Sequence, residues 1–170
     1  MYSKRVTPRD DKEKSLEPAL WTQVFEEQLA HDKDQTVIDP AALFYMLSVA
    51  DPKAYAGGQN VSLFSKGKIH SVAVRFEAEE ELDVNFDLLP PAEPAIGDTS
   101  AGPTSVDERV RALRYTLRPG DEADALELLG LEGDLELWIE AERRIPVLVT
   151  GKVSPVGRVA VKLQRAWLAR

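Results

Sequence analysis

The stretch Leu135-Glu136-Leu137-Trp138-Ile139-Glu140-Ala141-Glu142-Arg143-Arg144-Ile145-Pro146-Val147-Leu148-Val149 decides the fold class. Leu135, Leu137 and Ile139 alternate with Glu136, Trp138 and Glu140. That period of two belongs to a half-buried β-strand, not to a helix. A charged turn follows, and Val147 and Val149 then lie on one side of the next strand. Farther out, Ser154-Pro155-Val156-Gly157 reads as a turn. Beyond it Val159, Val161 and Leu163 oppose Arg158, Ala160 and Lys162. Upstream, Leu113, Tyr115 and Leu117 oppose Arg114, Thr116 and Arg118 before Pro119-Gly120 breaks the strand. The C-terminal half is therefore expected to be an antiparallel meander. Leu137, Ile139, Val147, Val149, Val161 and Leu163 are expected to line one buried face.

The pattern extends towards the N-terminus. Val61, Leu63, Ile69, Val72, Val74 and Phe76 flank Ser65-Lys66-Gly67-Lys68, which suits a hairpin turn with glycine in the left-handed region. Leu82, Val84, Phe86 and Leu88 predict the next strand. Asp39-Pro40 reads as an N-cap and an N1 proline opening a helix through Ala41-Ala42-Leu43-Phe44-Tyr45-Met46-Leu47. Asp51-Pro52 ends it, because the residue before a proline avoids helical dihedrals. This helix is apolar almost all round and is expected to bury against the sheet, Phe44 and Leu47 joining the core. Ser15, with Ala19, Leu20, Val24, Phe25 and Leu29 at helical spacing, predicts a second, N-terminal helix. Residues 1–14 are expected to be a disordered tail. Residues 89–106 hold four prolines and two glycines and are expected to be a flexible loop. The expected fold is mainly β: a curved antiparallel sheet, meander or half-barrel, with one buried helix and one N-terminal helix. It forms a single domain over 15–170.

Composition narrows the function classes. The chain has 170 residues, 44% of them hydrophobic, enough for one domain with a real core. A net charge of -8 argues against nucleic acid, whose backbone demands a basic surface. No apolar run reaches the roughly 18 residues needed to span a bilayer. Met1-Tyr2-Ser3-Lys4-Arg5 lacks an apolar signal region. The chain is thus expected to be periplasmic or in the cell envelope if a signal peptide precedes Met1, and otherwise cytoplasmic. Without cysteine there is no disulfide, thiolate nucleophile or thiolate metal site.

The chemistry-bearing residues are sparse. The two histidines are His31 and His70. His70-Ser71 with Asp83 makes a conceivable triad, but no glycines surround the serine as a nucleophile elbow requires. The acidic run Glu77, Glu79, Glu80, Glu81 and Asp83 lacks the turn glycine or asparagine of a calcium loop, so it is expected to be a solvated strand end. Gly57-Gly58 and Gly130 with Gly133 lack the lysine and the strand–loop–helix context of a phosphate loop. No catalytic, metal or cofactor-binding residue is assigned. Charge is segregated: residues 119–142 carry nine acidic and no basic side chains, and residues 143–170 carry seven basic and no acidic ones. Pairing the 134–140 strand with its successor sets opposite charges across from one another.

Three segments resemble, in the same order, a family of exported bacterial proteins known as domain of unknown function 3108. They are the Leu137 to Val147 stretch, with its Leu-Trp-hydrophobic strand end and hydrophobic-Pro-hydrophobic restart, the Asp39-Pro40 helix, and the 65–76 hairpin. The Trp-to-Pro turn is also similar to a hairpin of lipoprotein-carrier half-barrels. The resemblance covers residues 37–168 and brings no catalytic residue with it. It implies a non-enzymatic cell-envelope protein that binds or scaffolds an unknown protein or apolar ligand. A carrier of a lipid or other apolar ligand is the alternative, and a hydrolase using His70 is the third. Trp138 and Arg144 are candidate ligand-binding residues as a stacking and anion-binding pair at a groove edge, and Tyr115 joins them. Their plainer reading is that Trp138 covers the outer sheet face while Arg144 pairs with Glu140 or Glu142.

Overall fold

The computed structural model describes residues 2–8, 21–27, 36–65, 67–89, 102–120 and 126–167, with side chains from residue 36 onward. Strand β1 (Tyr2–Pro8) pairs antiparallel with β2 (Trp21–Glu27) as a separate two-stranded sheet. The N-terminal helix expected from Ser15 is thus corrected: its described part is a strand. Trp21-Thr22-Gln23-Val24-Phe25 is rich in aromatic and β-branched residues, which favour extended pairing. Over so short a run helical spacing does not discriminate. Tyr2–Pro8, inside the expected tail, is likewise a strand; residues 9–14 lie outside the described residues.

The main body is one open sheet, mostly antiparallel. Its elements are β3 (Val37–Ile38), α1 (Pro40–Val49), a 3-10 turn (Pro52–Tyr55), β4 (Gln59–Ser65), β5 (Lys68–Leu89), β6 (Thr104–Pro119), β7 (Glu127–Leu128), β8 (Leu131–Glu140), β9 (Pro146–Val153), β10 (Gly157–Lys162) and β11 (Arg165–Trp167). The order across the sheet is β10-β9-β8-β6-β5-β4-β3. Two pairings at its margins are parallel, β3 with β4 and β11 with β5. The β4–β5 hairpin turns at Gly67, φ 78°, as its glycine requires.

Helix α1 starts as its sequence dictates. Asp39 is extended, and its carboxylate accepts from the Ala42 N–H at 2.7 Å, with Pro40 at the first helical position. Asp51 then caps the 3-10 turn by accepting from Lys53 N–H at 3.0 Å. Only one side of α1 is buried. Leu43 and Leu47 enter the core, while Tyr45 is 71% exposed and Val49 63%.

The sheet carries a core on each face. The first holds Leu43 and Leu47 of α1 over Val72, Val74, Leu113, Tyr115, Leu117, Leu135, Leu137, Ile139 and Val149. The second holds Val84, Phe86, Val106, Val110, Ala112, Trp138 and Val147 on the opposite face. In β6 the odd positions serve the first core and the even positions the second, as pleat alternation demands.

In β5, even positions serve both cores. The reason is a bulge: Phe76 lies opposite Tyr115 and Ala78 opposite Arg114, leaving Glu77 as the extra residue. That extra residue moves Leu82, Val84 and Phe86 to the face opposite Val72 and Val74. The two strands expected over 69–76 and 82–88 are therefore one 22-residue strand, and the acidic run lies in its middle, not at its end.

The single buried face expected for the meander divides accordingly. Leu137, Ile139, Val149 and Leu47 lie in the first core, with Phe44 packed against it. Val147 is in the second core and Leu163 packs against that core. β9 is irregular here, with Trp138 opposite Leu148 but Ile139 opposite Pro146. Val161 is 41% exposed. It sits on edge strand β10, five strand spacings or about 24 Å from β4, where α1 packs. A helix of ten residues, about 15 Å long, does not reach it.

Of the loop expected over 89–106, Leu89 ends β5, Thr104 to Val106 belong to β6, and residues 90–101 lie outside the described residues.

Candidate functional site

Beyond its bulge, the hairpin of β5 and β6 forms an arm of the sheet, and the second core lies between this arm and the β9–β10 ribbon. Leu163 N–H donates to Val147 C=O at 3.0 Å, and Asp87 N–H donates to Gln164 C=O at 2.9 Å. The chain thus leaves β9 at Leu163 and reaches β5 as β11 two residues later. This corner does not fill the space it spans. A partly open cleft of about 370 Å³ remains, floored by Leu82, Val84, Phe86, Val147, Leu148 and Leu163. Asp83, Asn85, Asp107, Lys162 and Gln164 form its rim. Pockets for small ligands run from about 300 to 1,000 Å³, and this cleft falls at the lower end of that range with an apolar floor and a polar rim.

The rest of the second face is polar and cross-linked. Glu77 accepts from Thr116 Oγ1 at 2.8 Å. Trp138 Nε1–H donates to Glu80, whose carboxylate lies 3.6 Å from Arg114 Nε. Arg114 in turn reaches Glu136 at 3.2 Å, and Glu136 also accepts from Thr150 and Arg158. On the arm's outer side Arg111 pairs with Glu79 at 3.1 Å and Arg109 with Asp83 at 2.9 Å. Hydrogen bonding to Arg109, and then its charge, hold the Asp83 carboxyl below the usual carboxylate range. The acidic run is thus matched by the arginines of β6 across the hairpin. Among the described residues no three His, Asp or Glu side chains cluster as a metal site.

The three residues singled out from sequence do not meet in one site: Trp138 lies on the face opposite Tyr115, on which only the charge of Arg144 acts. Trp138 lies on the second face, 8% exposed, its indole over the second core and its N–H on Glu80. Tyr115 faces the other way, fully buried in the first core, with edge contacts to Tyr55 and Phe76 at ring separations of 6.1 Å and 5.6 Å. Arg144 is exposed at the β8–β9 turn with φ 59°, its N–H donating to Glu140 C=O at 3.0 Å. It forms no ion pair among the described residues; its neighbour Arg143 pairs with Glu140 and Glu108 instead.

The elements of a hydrolase are equally dispersed. His70 is buried on the first face opposite Leu63. Ser71 is the next residue of the strand and points to the other face, beside Gly120. Asp83 lies roughly 40 Å farther along β5 at about 3.3 Å per residue. His31 is outside the described residues.

Two features escaped the sequence reading. One is the cleft, which exists only because the Glu77 bulge inverts the arm. Five consecutive acidic or small positions between Phe76 and Leu82 hide that phase change. The other is Glu140, 1% exposed, whose carboxylate accepts the backbone N–H groups of Glu142 and Arg143 and so closes the β8–β9 turn. A glutamate three residues before an arginine carries no signal that separates a buried turn organiser from a surface ion pair.

No protein-family model, curated protein or solved structure matches the chain.

Proposed function

We propose that this chain is a non-enzymatic binding protein of the cell envelope whose ligand seats in the second-face cleft. The cleft carries the reading. Its apolar floor is only half covered at Leu82, Leu148 and Leu163, beside a first-face core that is filled by Tyr115 and the leucines of α1 and β8. The separation of His70, Ser71 and Asp83 favours binding over hydrolysis. Placement in the envelope follows from the resemblance to exported bacterial proteins.

A carrier of a lipid or other apolar ligand is the second reading, favoured by the same floor. A scaffolding surface would draw instead on the exposed Tyr45 and Val49 of α1. The experiment is titration with an anilinonaphthalene sulfonate probe, together with mass spectrometry of any co-purified lipid. Saturable probe binding that raises the melting temperature, and that Leu163→Glu abolishes with the β-signature of the fold retained, is the expected result. Probe binding unchanged in Leu163→Glu removes the cleft from consideration. Extractable lipid selects the carrier reading.

A further inference from the structure

We infer that the occupant of this site is an extended polypeptide segment, added as a strand to the free edge of β5, with alternating apolar and basic side chains. The inference rests on the cleft-binding reading and names its ligand. β5 has β6 along one edge from Val72 to Leu88. Along its other edge it meets β4 only as far as Val74, and β11 only from Asp87. Over residues 75–86 that second edge has no strand among the described residues.

The direction of the free groups follows from the one bond that ends the gap. Asp87 N–H points to this edge, where it meets Gln164 C=O. Alternate residues of a strand direct their N–H and C=O to the same side. Glu79, Glu81, Asp83 and Asn85 therefore present both groups to the open edge. Unpaired edges of this kind are templates for strand addition. β5 already accepts an added strand farther on, since β11 joins it in parallel register over residues 87–89.

The cleft lies beside this edge. It is lined by the consecutive residues Leu82, Asp83, Val84, Asn85 and Phe86 of β5, facing Lys162, Leu163 and Gln164. A strand laid against β5 sends every second side chain inward over Leu82, Val84 and Leu163. The others point outward, beside Glu79, Glu81 and Asp83, all of them exposed. The inward positions call for apolar residues and the outward ones for Lys or Arg. All three are already paired, Glu79 to Arg111 and Glu81 and Asp83 to Arg109, yet a carboxylate accepts several donors and exposed pairs of this kind are weak. The same carboxylates repel a second copy of β5, and the net charge of -8 adds to that repulsion. The edge is thus closed to self-pairing and open to a basic strand.

The test uses a short amidated peptide of alternating valine and lysine with the full chain. Saturable binding is expected, weakening as salt rises, with slowed amide exchange at Glu79, Glu81, Asp83 and Asn85. N-methylating the peptide on the edge that faces β5 should weaken binding at least about tenfold. N-methylation on the opposite edge should leave it unchanged. Glutamate in place of lysine should abolish binding. Equal affinity for both N-methylated forms, or no added protection at those four amides, overturns the strand assignment. A dimer that protects them without peptide assigns the edge to a second copy and likewise overturns it. If the naphthalene probe fills the cleft but the peptide never binds, the strand inference falls and the cleft reading stands. If neither binds, both fall.

Discussion

Tyr115 is wholly buried, yet its hydroxyl has no hydrogen-bond partner among the described residues. Burial pushes the phenol up to about 12, the positive charge of Arg144 offsetting part of the rise and Tyr55 and Asp51 adding to it. The unfolded phenol ionises near pH 10. The folded protein therefore keeps a proton that the unfolded chain releases. The stability this group contributes is complete below about pH 10 and is lost as pH rises through about 12. Tyr115→Phe removes both the unpaired hydroxyl and this alkaline loss, at nearly constant volume. It should raise stability by about 1 kcal/mol near neutrality and flatten the decline above pH 10, read by urea denaturation. A variant less stable than the parent at neutral pH would show that the hydroxyl has a partner. The same residue marks a limit of the sequence. Alternation of Leu113, Tyr115 and Leu117 identified a buried face, but a tyrosine on that face reads equally as ligand contact or as core. Only the Tyr55 and Phe76 rings packed against it decide between them.

At the scale of elements, the caps and turns were legible because their chemistry is local. Asp39-Pro40 opened α1, Asp51-Pro52 ended it, and Gly67 turned the first hairpin. The period-two runs of β6 and β8 were legible for the same reason, whereas the irregular β9 sends Val147 and Val149 to different cores. The phase of β5 was not, because a bulge inserts one residue without changing the apparent alternation of Phe76 and Leu82. Its prediction concerns deletions. Removing Glu77 makes Phe76 and Ala78 consecutive, which keeps Leu82, Val84 and Phe86 on the second face. It should cost about 1–2 kcal/mol, for the lost bond to Thr116 and some twist. Removing Asp83 from the regular part of the strand inverts either Leu82 or Val84 and Phe86. Exposing each large apolar side chain costs about 1.5–3 kcal/mol, so the arm should unfold. Chemical denaturation and near-ultraviolet circular dichroism compare the two, and equal destabilisation would place the bulge elsewhere.

On the scale of the whole molecule, one sheet joins two cores of unequal size: sixteen buried side chains on the first face and seven on the second, among the described residues. The first takes in Leu43 and Leu47 of α1, which packs on β4, and is centred on β6 and β8. The second has the cleft in it and is bounded by a three-residue strand, β11. Local opening free energy follows the apolar contacts that must be broken. The arm and the β10–β11 corner should therefore open without the rest. Native-state hydrogen exchange is expected to give residues 82–89, 104–111 and 163–167 an opening free energy at least about 2 kcal/mol below that of 113–117 and 135–139. Two variants separate the cores. Leu137→Ala empties the first core and should cost about 2–5 kcal/mol globally, lowering protection in the whole sheet. Val84→Ala should speed exchange in the arm and leave 135–139 unchanged. If Val84→Ala instead lowers protection everywhere by the same amount, the two faces fold as one cooperative unit. The cleft would then sit in the stable body of the protein, and an arm free to open around a ligand would have to be abandoned.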